Sequence, residues 1–304
     1  MTKDCDLWTY TLQPQDEGKK YQDILSQRFH FSRRLLQKLK QGEYVWVNNK
    51  FTFLTATGKP GEILSLQLHT PEEINIPGED LPLHVLYEDD YLLVVNKPAG
   101  QVVHPTPLHP VGTIGNAVVG YWLAKGESRP FRPVHRIDRN TSGVIVVAKN
   151  QFAHQQLFWQ LGQQKIHKRY LGIVTGVVAK DQGTISAPIS LAQGSFMQRQ
   201  VSIDGLPATT HFRVLKRFQE ASLLEFVLET GRTHQIRVHC QSIGHSLLGD
   251  DLYGGSLTQI NRQALHSFMY EFLHPLSGER ITIRAPLPQD LRQLLSALAM
   301  RTNH

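Results

Sequence analysis

Three prolines and four acids, Pro71, Pro77 and Pro82 among Glu72, Glu73, Glu79 and Asp80, interrupt the chain early in its 304 residues. Proline fixes the backbone and closely spaced charges resist burial, so the stretch reads as a semi-stiff connector. It predicts an N-terminal domain over 1–70, a linker over 71–82 and a larger domain over 83–304.

Upstream of the connector, Tyr21, Ile24, Leu25 and Phe29 recur at helical spacing, and Ser32 can cap a second helix carrying Leu35, Leu36 and Leu39. Gly42 should end that helix. Val45 and Val47, then Leu64, Leu66 and Leu68, alternate as strands do, with Asn48-Asn49 marking a turn between them. Burying the leucines of the second helix leaves Arg33, Arg34, Lys38 and Lys40 on its outer face. From Glu17 to Lys50 there are eight Lys or Arg against three acids, a net charge of +5 out of +6 for the whole chain. Such a patch fits phosphate neutralisation by a nucleic-acid binder, although an ordinary solvated helix face has the same pattern.

Downstream, Leu92 to Val95 reads as a buried strand and Ala153, Leu157 and Leu161 as a helix, while Ala208 to Leu215 and Ser222 to Leu228 alternate. Strands outnumber helices without regular alternation. This predicts an α+β fold with a mainly antiparallel sheet rather than a doubly wound one. No stretch approaches the ~18 uninterrupted apolar residues of a membrane span, and the N-terminus has no secretory pattern, so a cytoplasmic protein is expected. Cys5 and Cys240 lie too far apart to suggest a disulfide framework or zinc site. His104 and His109, like His234 and His239, miss the i, i+4 spacing of paired helical ligands, so no metal is expected.

Chemistry concentrates in four segments. Val134 to Gly143 (Val-His-Arg-Ile-Asp-Arg-Asn-Thr-Ser-Gly) sets one carboxylate, Asp138, among basic and hydroxyl groups. Arg136 and Arg139 beside it would keep it ionised and fit to act as nucleophile or base; a turn Asp capping backbone amides is the alternative. Asn96-Lys97-Pro98-Ala99-Gly100 ends a strand, where loops build sites. Tyr170, within Lys168-Arg169-Tyr170, is either a base-stacking ring or a strand tyrosine in the core. The run Leu228 to His239 reads as strand, glycine turn and helix start, with Thr233 as N-cap, Arg232 able to hold phosphate and Arg237 able to grip a carboxylate bidentately. The competing reading is an exposed helix with scattered charges.

Together these segments resemble the RluA-type pseudouridine synthases. The match rests on His135-Arg136-Ile137-Asp138-Arg139-Asn140-Thr141-Ser142-Gly143, on Asn96 to Gly100, Tyr170 and Thr230 to Arg237, and on Leu248-Gly249-Asp250 with Tyr253-Gly254. It spans roughly residues 83 to 290. Residues 12 to 70 resemble, more weakly, the RNA-binding module of ribosomal protein S-four type. Ile137 in place of the usual Leu, Gly172 in place of Ala and Leu206 in place of a basic residue depart from the pattern without removing a reactive group.

The resemblance implies an isomerase of uridine in RNA that needs no cofactor. It implies Asp138 as the essential carboxylate, Arg237 as its partner and Tyr170 as the ring that packs on the uracil. Arg136, which in a relative fills the space vacated by the base, is grouped with His135, Thr141, Arg232 and Lys97 as substrate-binding. Arg33, Arg34, Lys38 and Lys40 are expected to bind RNA, ribosomal RNA ahead of transfer RNA, with the protein a monomer. A noncatalytic RNA-binding factor and a base-removing glycosylase are the competing functional classes.

Overall fold

The computed structural model describes residues 7–68, 73–74 and 76–302; Cys5, Pro71 and Glu72 lie outside them. The N-terminal part comprises β1 (Leu7–Thr11), α1 (Tyr21–Phe29), α2 (Arg33–Lys40), β2 (Val45–Val47), β3 (Lys50–Phe51) and β4 (Ile63–Gln67). Its strands form an antiparallel sheet in the order β1-β4-β2-β3. Ser32 caps α2 as expected, its Oγ accepting from the Leu35 N–H at 3.2 Å. Leu35, Leu36 and Leu39 are buried, and Arg33, Arg34 and Lys40 are exposed.

The second sheet has nine strands among the described residues. They are β5 (Val85–Glu88), β6 (Leu92–Lys97), β7 (Ser142–Ala148), β8 (His167–Thr175), β9 (Gln182–Ser186), β12 (Thr209–Arg217), β13 (Ala221–Leu228), β14 (Leu265–Leu273) and β15 (Arg280–Arg284). The order is β5-β6-β7-β14-β8-β13-β12-β9, with β15 also on β14. Strands β10 (Ile189–Leu191) and β11 (Arg199–Val201) make a separate ribbon. Helices α3 (Ile114–Ala124), α4 (Gln151–Gly162), α5 (Gln235–Ser242) and α6 (Gln289–Thr302) cover the sheet, giving the expected α+β class.

Every residue of β7 is buried, because helices lie on both of its faces. Side chains of a strand point alternately up and down. Leu93, Val95, Ile145 and Val147 accordingly meet Val118, Val119 and Trp122 of α3. Leu92, Val94, Val144 and Val146 share the opposite core with Phe152, Ala153 and Leu157 of α4. That second core runs on into the N-terminal part, where the Phe31 ring lies 5.2 Å from that of Phe152 and His30 lies parallel to Trp159 at 4.2 Å. Gln155 Oε1 accepts from the Ser32 N–H at 2.8 Å, and Gln156 donates to Phe29 O at 2.6 Å.

Among the described residues, the one parallel pairing of the large sheet joins β7 to β14, opposing Ser142 to His266 and Gly143 to Ser267. Gly143 has φ +120°, and a Cβ there would lie 2.1 Å from Ser267 O. Only glycine allows the chain to enter the sheet this tightly, and the segment entering it carries Asp138.

The described later part of the expected connector packs against α3. Ile76 is buried against α3, Asn116 Nδ2 donates to Pro77 O at 2.9 Å, and the Glu79 N–H donates to Asn116 O at 3.0 Å. Gly120 leaves room for this approach, since a Cβ would fall 2.1 Å from Glu79 O. The side-chain amide and the backbone carbonyl of Asn116 thus each satisfy one backbone group that the prolines leave outside any regular element.

Candidate active site

Alternation along β8 brings Lys168 and Tyr170 to one face, where they line a cleft of about 640 Å³ with Asp138, Arg232, His234 and Arg237. The Asp138 segment is fastened at both ends. Lys97, fully buried, donates through Nζ to Arg139 O, Gln101 O and Pro98 O at 2.7–2.8 Å. Burial pushes its ammonium down to about 7, against the attraction of Asp138. At the other end Arg262 donates to Asn140 O at 3.0 Å and grips Asp290 at 2.6 and 3.0 Å. Ser142 Oγ lies 2.9 Å from His266 Nδ1.

Asp138 keeps about a quarter of its side chain exposed (24%), with Oδ2 3.4 Å from Arg237 Nη1 and 4.0 Å from His234 Nε2. Its cationic partner therefore arrives from α5. Arg139 turns its Nε to Gly100 O at 3.0 Å and Arg136 is exposed, so the expectation that these chain neighbours hold the carboxylate is corrected. The expected bidentate grip of Arg237 exists, but on another acid: Nε and Nη2 donate to Asp250 Oδ2 and Oδ1, both at 2.7 Å. Asp250 is completely buried. Burial alone would lower the Arg237 guanidinium; hydrogen bonding to Asp250 and the charges of Asp250 and Asp138 raise it above its ordinary value instead. An arginine held by one buried carboxylate and offering its remaining nitrogen to a second is a fixed positive charge at the cleft wall.

Helix α5 begins one residue later than Thr233 as N-cap would require. His234, in the left-handed region at φ 58°, occupies the N-cap position without a side-chain cap, and Thr233 is exposed. Gln235 fixes the preceding turn instead, its Oε1 accepting from Thr230 Oγ1 at 2.8 Å and the Arg232 N–H at 2.9 Å. Because Gln235 to Cys240 are buried, the exposed-helix reading also fails.

Tyr170 is 6% exposed, and burial, helped by the charge of Asp138, pushes its phenol up to about 12. It is thus a neutral ring over the working pH range. His135, also on the cleft wall, accepts from the Val146 N–H at 3.3 Å and stacks on Tyr270 at 4.3 Å; burial pushes it down to about 3. Thr141 is buried and accepts from Gln263 Nε2 at 3.3 Å. Arg232 is exposed at the rim with Nε on Pro207 O at 3.1 Å. Lys97 does not reach the cleft surface; all of its reach goes into three carbonyls, which corrects its assignment as a substrate contact. Asp250 and His234 stand in the motifs of the resemblance but were given no role, and Arg262 was missed altogether. The Leu248-Gly249-Asp250 motif was the signal for Asp250; the structure shows why glycine precedes it, with φ +73° at Gly249 and a Cβ there only 2.0 Å from Arg262 O.

Residues 91–242 match the RNA pseudouridylate synthase family. The chain is also 41% identical over 272 residues to the uncharacterized RNA pseudouridine synthase YlyB of Bacillus subtilis, covering 88% of this chain and 90% of that one. The chain belongs to the RNA pseudouridylate synthase family. Another relative of this synthase is the ribosomal large subunit pseudouridine synthase D of Xanthomonas campestris, 39% identical over 301 residues and covering 92% and 89% of the two chains. Among solved structures, human RNA pseudouridylate synthase domain containing 1 superposes with a TM-score of 0.57 at 26% identity, over 73% of this synthase and 97% of that chain. Human RNA pseudouridylate synthase domain containing 4, at 22% identity and a TM-score of 0.59 over 71% and 93%, shares the fold. No described helix of the synthase is long and apolar enough to cross a membrane.

Proposed function

We propose that the synthase isomerises uridine in large-subunit ribosomal RNA, with Asp138 as the reacting carboxylate. The observation that carries this reading is an accessible carboxylate 3.4 Å from an arginine whose other face is locked to a buried acid, in one cleft with Tyr170. In the isomerisation the N1–C1′ bond breaks, a C5–C1′ bond forms, the C5 hydrogen leaves to solvent and N1 gains a proton. The atoms balance without oxidation.

Asp138 acts on the sugar or the base while the uracil turns, Arg237 pairs with it at 3.4 Å, and Tyr170 packs on the ring as a neutral phenol. The uridine must first leave its stack, at a cost of about a few kcal/mol. Arg136, exposed beside the opening, fits the vacated space. Arg232, His135 and Thr141 shape the cleft. The N-terminal part serves as an S-four-like RNA-binding module, with Arg33, Arg34, Lys38 and Lys40 neutralising phosphates. Lys38 is half-buried, and burial followed by the charges of Arg132 and Arg34 pushes it down to about 8. On this reading the protein works in the cytoplasm as a monomer. The relative named ribosomal large subunit pseudouridine synthase D supports ribosomal over transfer RNA.

The test is product analysis on unmodified large-subunit ribosomal RNA. Pseudouridine at defined positions with unchanged RNA mass is expected. Free uracil with an abasic site would indicate a glycosylase, and RNA bound but unaltered would indicate a noncatalytic factor.

A further inference from the structure

Tyr253 closes the turn that carries Asp250, and its phenol oxygen accepts a hydrogen bond from the Arg199 backbone N–H of β11 at 2.9 Å. The other polar neighbour of the phenol is Nδ1 of His234 at 2.8 Å, and donation of the phenol proton to that nitrogen satisfies the hydroxyl both as acceptor and as donor. A neutral imidazole that accepts at Nδ1 carries its proton on Nε2. That nitrogen faces Asp138 Oδ2 at 4.0 Å. The left-handed backbone at His234 turns the ring back from the start of α5 into the cleft, and the side chain is only 10% exposed.

We propose that His234 is a positioning residue for the isomerisation: its Nε2–H, together with Arg237 Nη1, holds the Asp138 carboxylate in one orientation, and Tyr253 selects the tautomer that makes this donor available. The inference rests on the reading of Asp138 as the reacting group. The charged and titratable groups facing the imidazole are Asp138 from its loop, Arg237 from α5, Asp250 and Tyr253 from the turn, and Arg199 from β11. Burial keeps the imidazole below its usual range, so it works as a neutral donor. The 4.0 Å separation closes to a hydrogen bond when substrate fills the cleft, as catalytic contacts in open sites commonly do. The ribbon strand β11 thereby sets, through one backbone N–H, the proton position beside the reacting acid.

Two variants of the full chain test this. His234→Asn keeps a residue that tolerates the left-handed backbone and removes the imidazole donor. Tyr253→Phe keeps the ring and removes the hydroxyl. The readouts are tritium release in a single turnover from [5-³H]uridine-labelled, unmodified large-subunit ribosomal RNA transcript, affinity for that transcript, and the ¹⁵N spectrum of the His234 ring. With His234→Asn the rate should fall about 100-fold, the scale of a small misplacement of a reacting group, with affinity within about twofold of the parent. The parent ring should be protonated at Nε2, and Tyr253→Phe should mix the tautomers and slow turnover by a smaller factor. An unchanged rate in His234→Asn, a loss matched by weaker RNA binding, or a parent ring protonated at Nδ1 would overturn the proposal. If the parent itself releases no tritium, it is the isomerase reading that fails, whereas the tautomer is read without turnover.

Discussion

The Asp138 cleft and the α2 surface both read in the sequence as clusters of charge, yet they are built in opposite ways. In the cleft the Asp138–Arg237 pair is fixed by groups that solvent barely reaches: Asp250 behind Arg237, and Lys97 and Arg262 on the carbonyls of the Asp138 segment. On α2 the arginines and Lys40 stand in water, and Lys40 reaches Gln22 at 2.8 Å across an exposed surface. Buried pairs depend steeply on each partner, whereas exposed charges act at a distance and are screened by salt. Position decides chemistry in the first region, and summed charge decides affinity in the second.

Removing one buried partner should break this contrast most severely. Asp250→Ala leaves Arg237 without its bidentate acceptor and should cost about 3–5 kcal/mol of stability, the range for an orphaned buried ion; denaturant unfolding measures it, and a loss under about 1 kcal/mol would mean that Arg237 is not held by Asp250. Next comes the pH response of His266, which is fully buried and pushed down to about 4 by burial. Its folded value lies below the unfolded one near 6.5, so its contribution is complete above about pH 6.5 and is lost as the unfolded chain takes up a proton on the way to about pH 4. The loss is at most about 3 kcal/mol, from the size of the shift. His266→Gln should flatten that part of the stability curve, and an unaltered acid limb would remove His266 as its origin. The surface region should respond least. Arg33→Glu with Arg34→Glu should weaken RNA binding about tenfold, lower the salt slope by roughly one unit for each phosphate no longer neutralised, and leave the rate at saturating RNA unchanged. A fall in that saturated rate would show that α2 takes part in the chemistry.

The same contrast explains what sequence reading reached. Helices α1 and α2, the Ser32 cap and the buried strand at Leu92–Val95 follow from spacing within a few residues, and the structure has them where periodicity puts them. Asp138 and Arg237 are 99 positions apart, so their meeting came from the family resemblance and not from local pattern. Arg237 gave a correct bonding mode with the wrong partner, because nothing local distinguishes Asp250 from Asp138 as the carboxylate at 2.7 Å. Lys97 was visible as a motif residue, yet its inward direction depends on Arg139 O, which lies 42 positions away. What the acid and proline run packs against was not legible for a similar reason: Asn116, which satisfies Pro77 O, lies 39 positions away on α3.

The most direct measurement is single-turnover tritium release by Asp138→Asn on RNA that it binds. The substitution preserves shape and leaves the Arg237–Asp250 pair intact, so the variant should fold and bind the transcript like the parent while its rate falls by about a thousandfold or more, within the range for losing a group that acts in the transition state. Release at the parental rate would contradict the account and leave Asp138 as a turn residue.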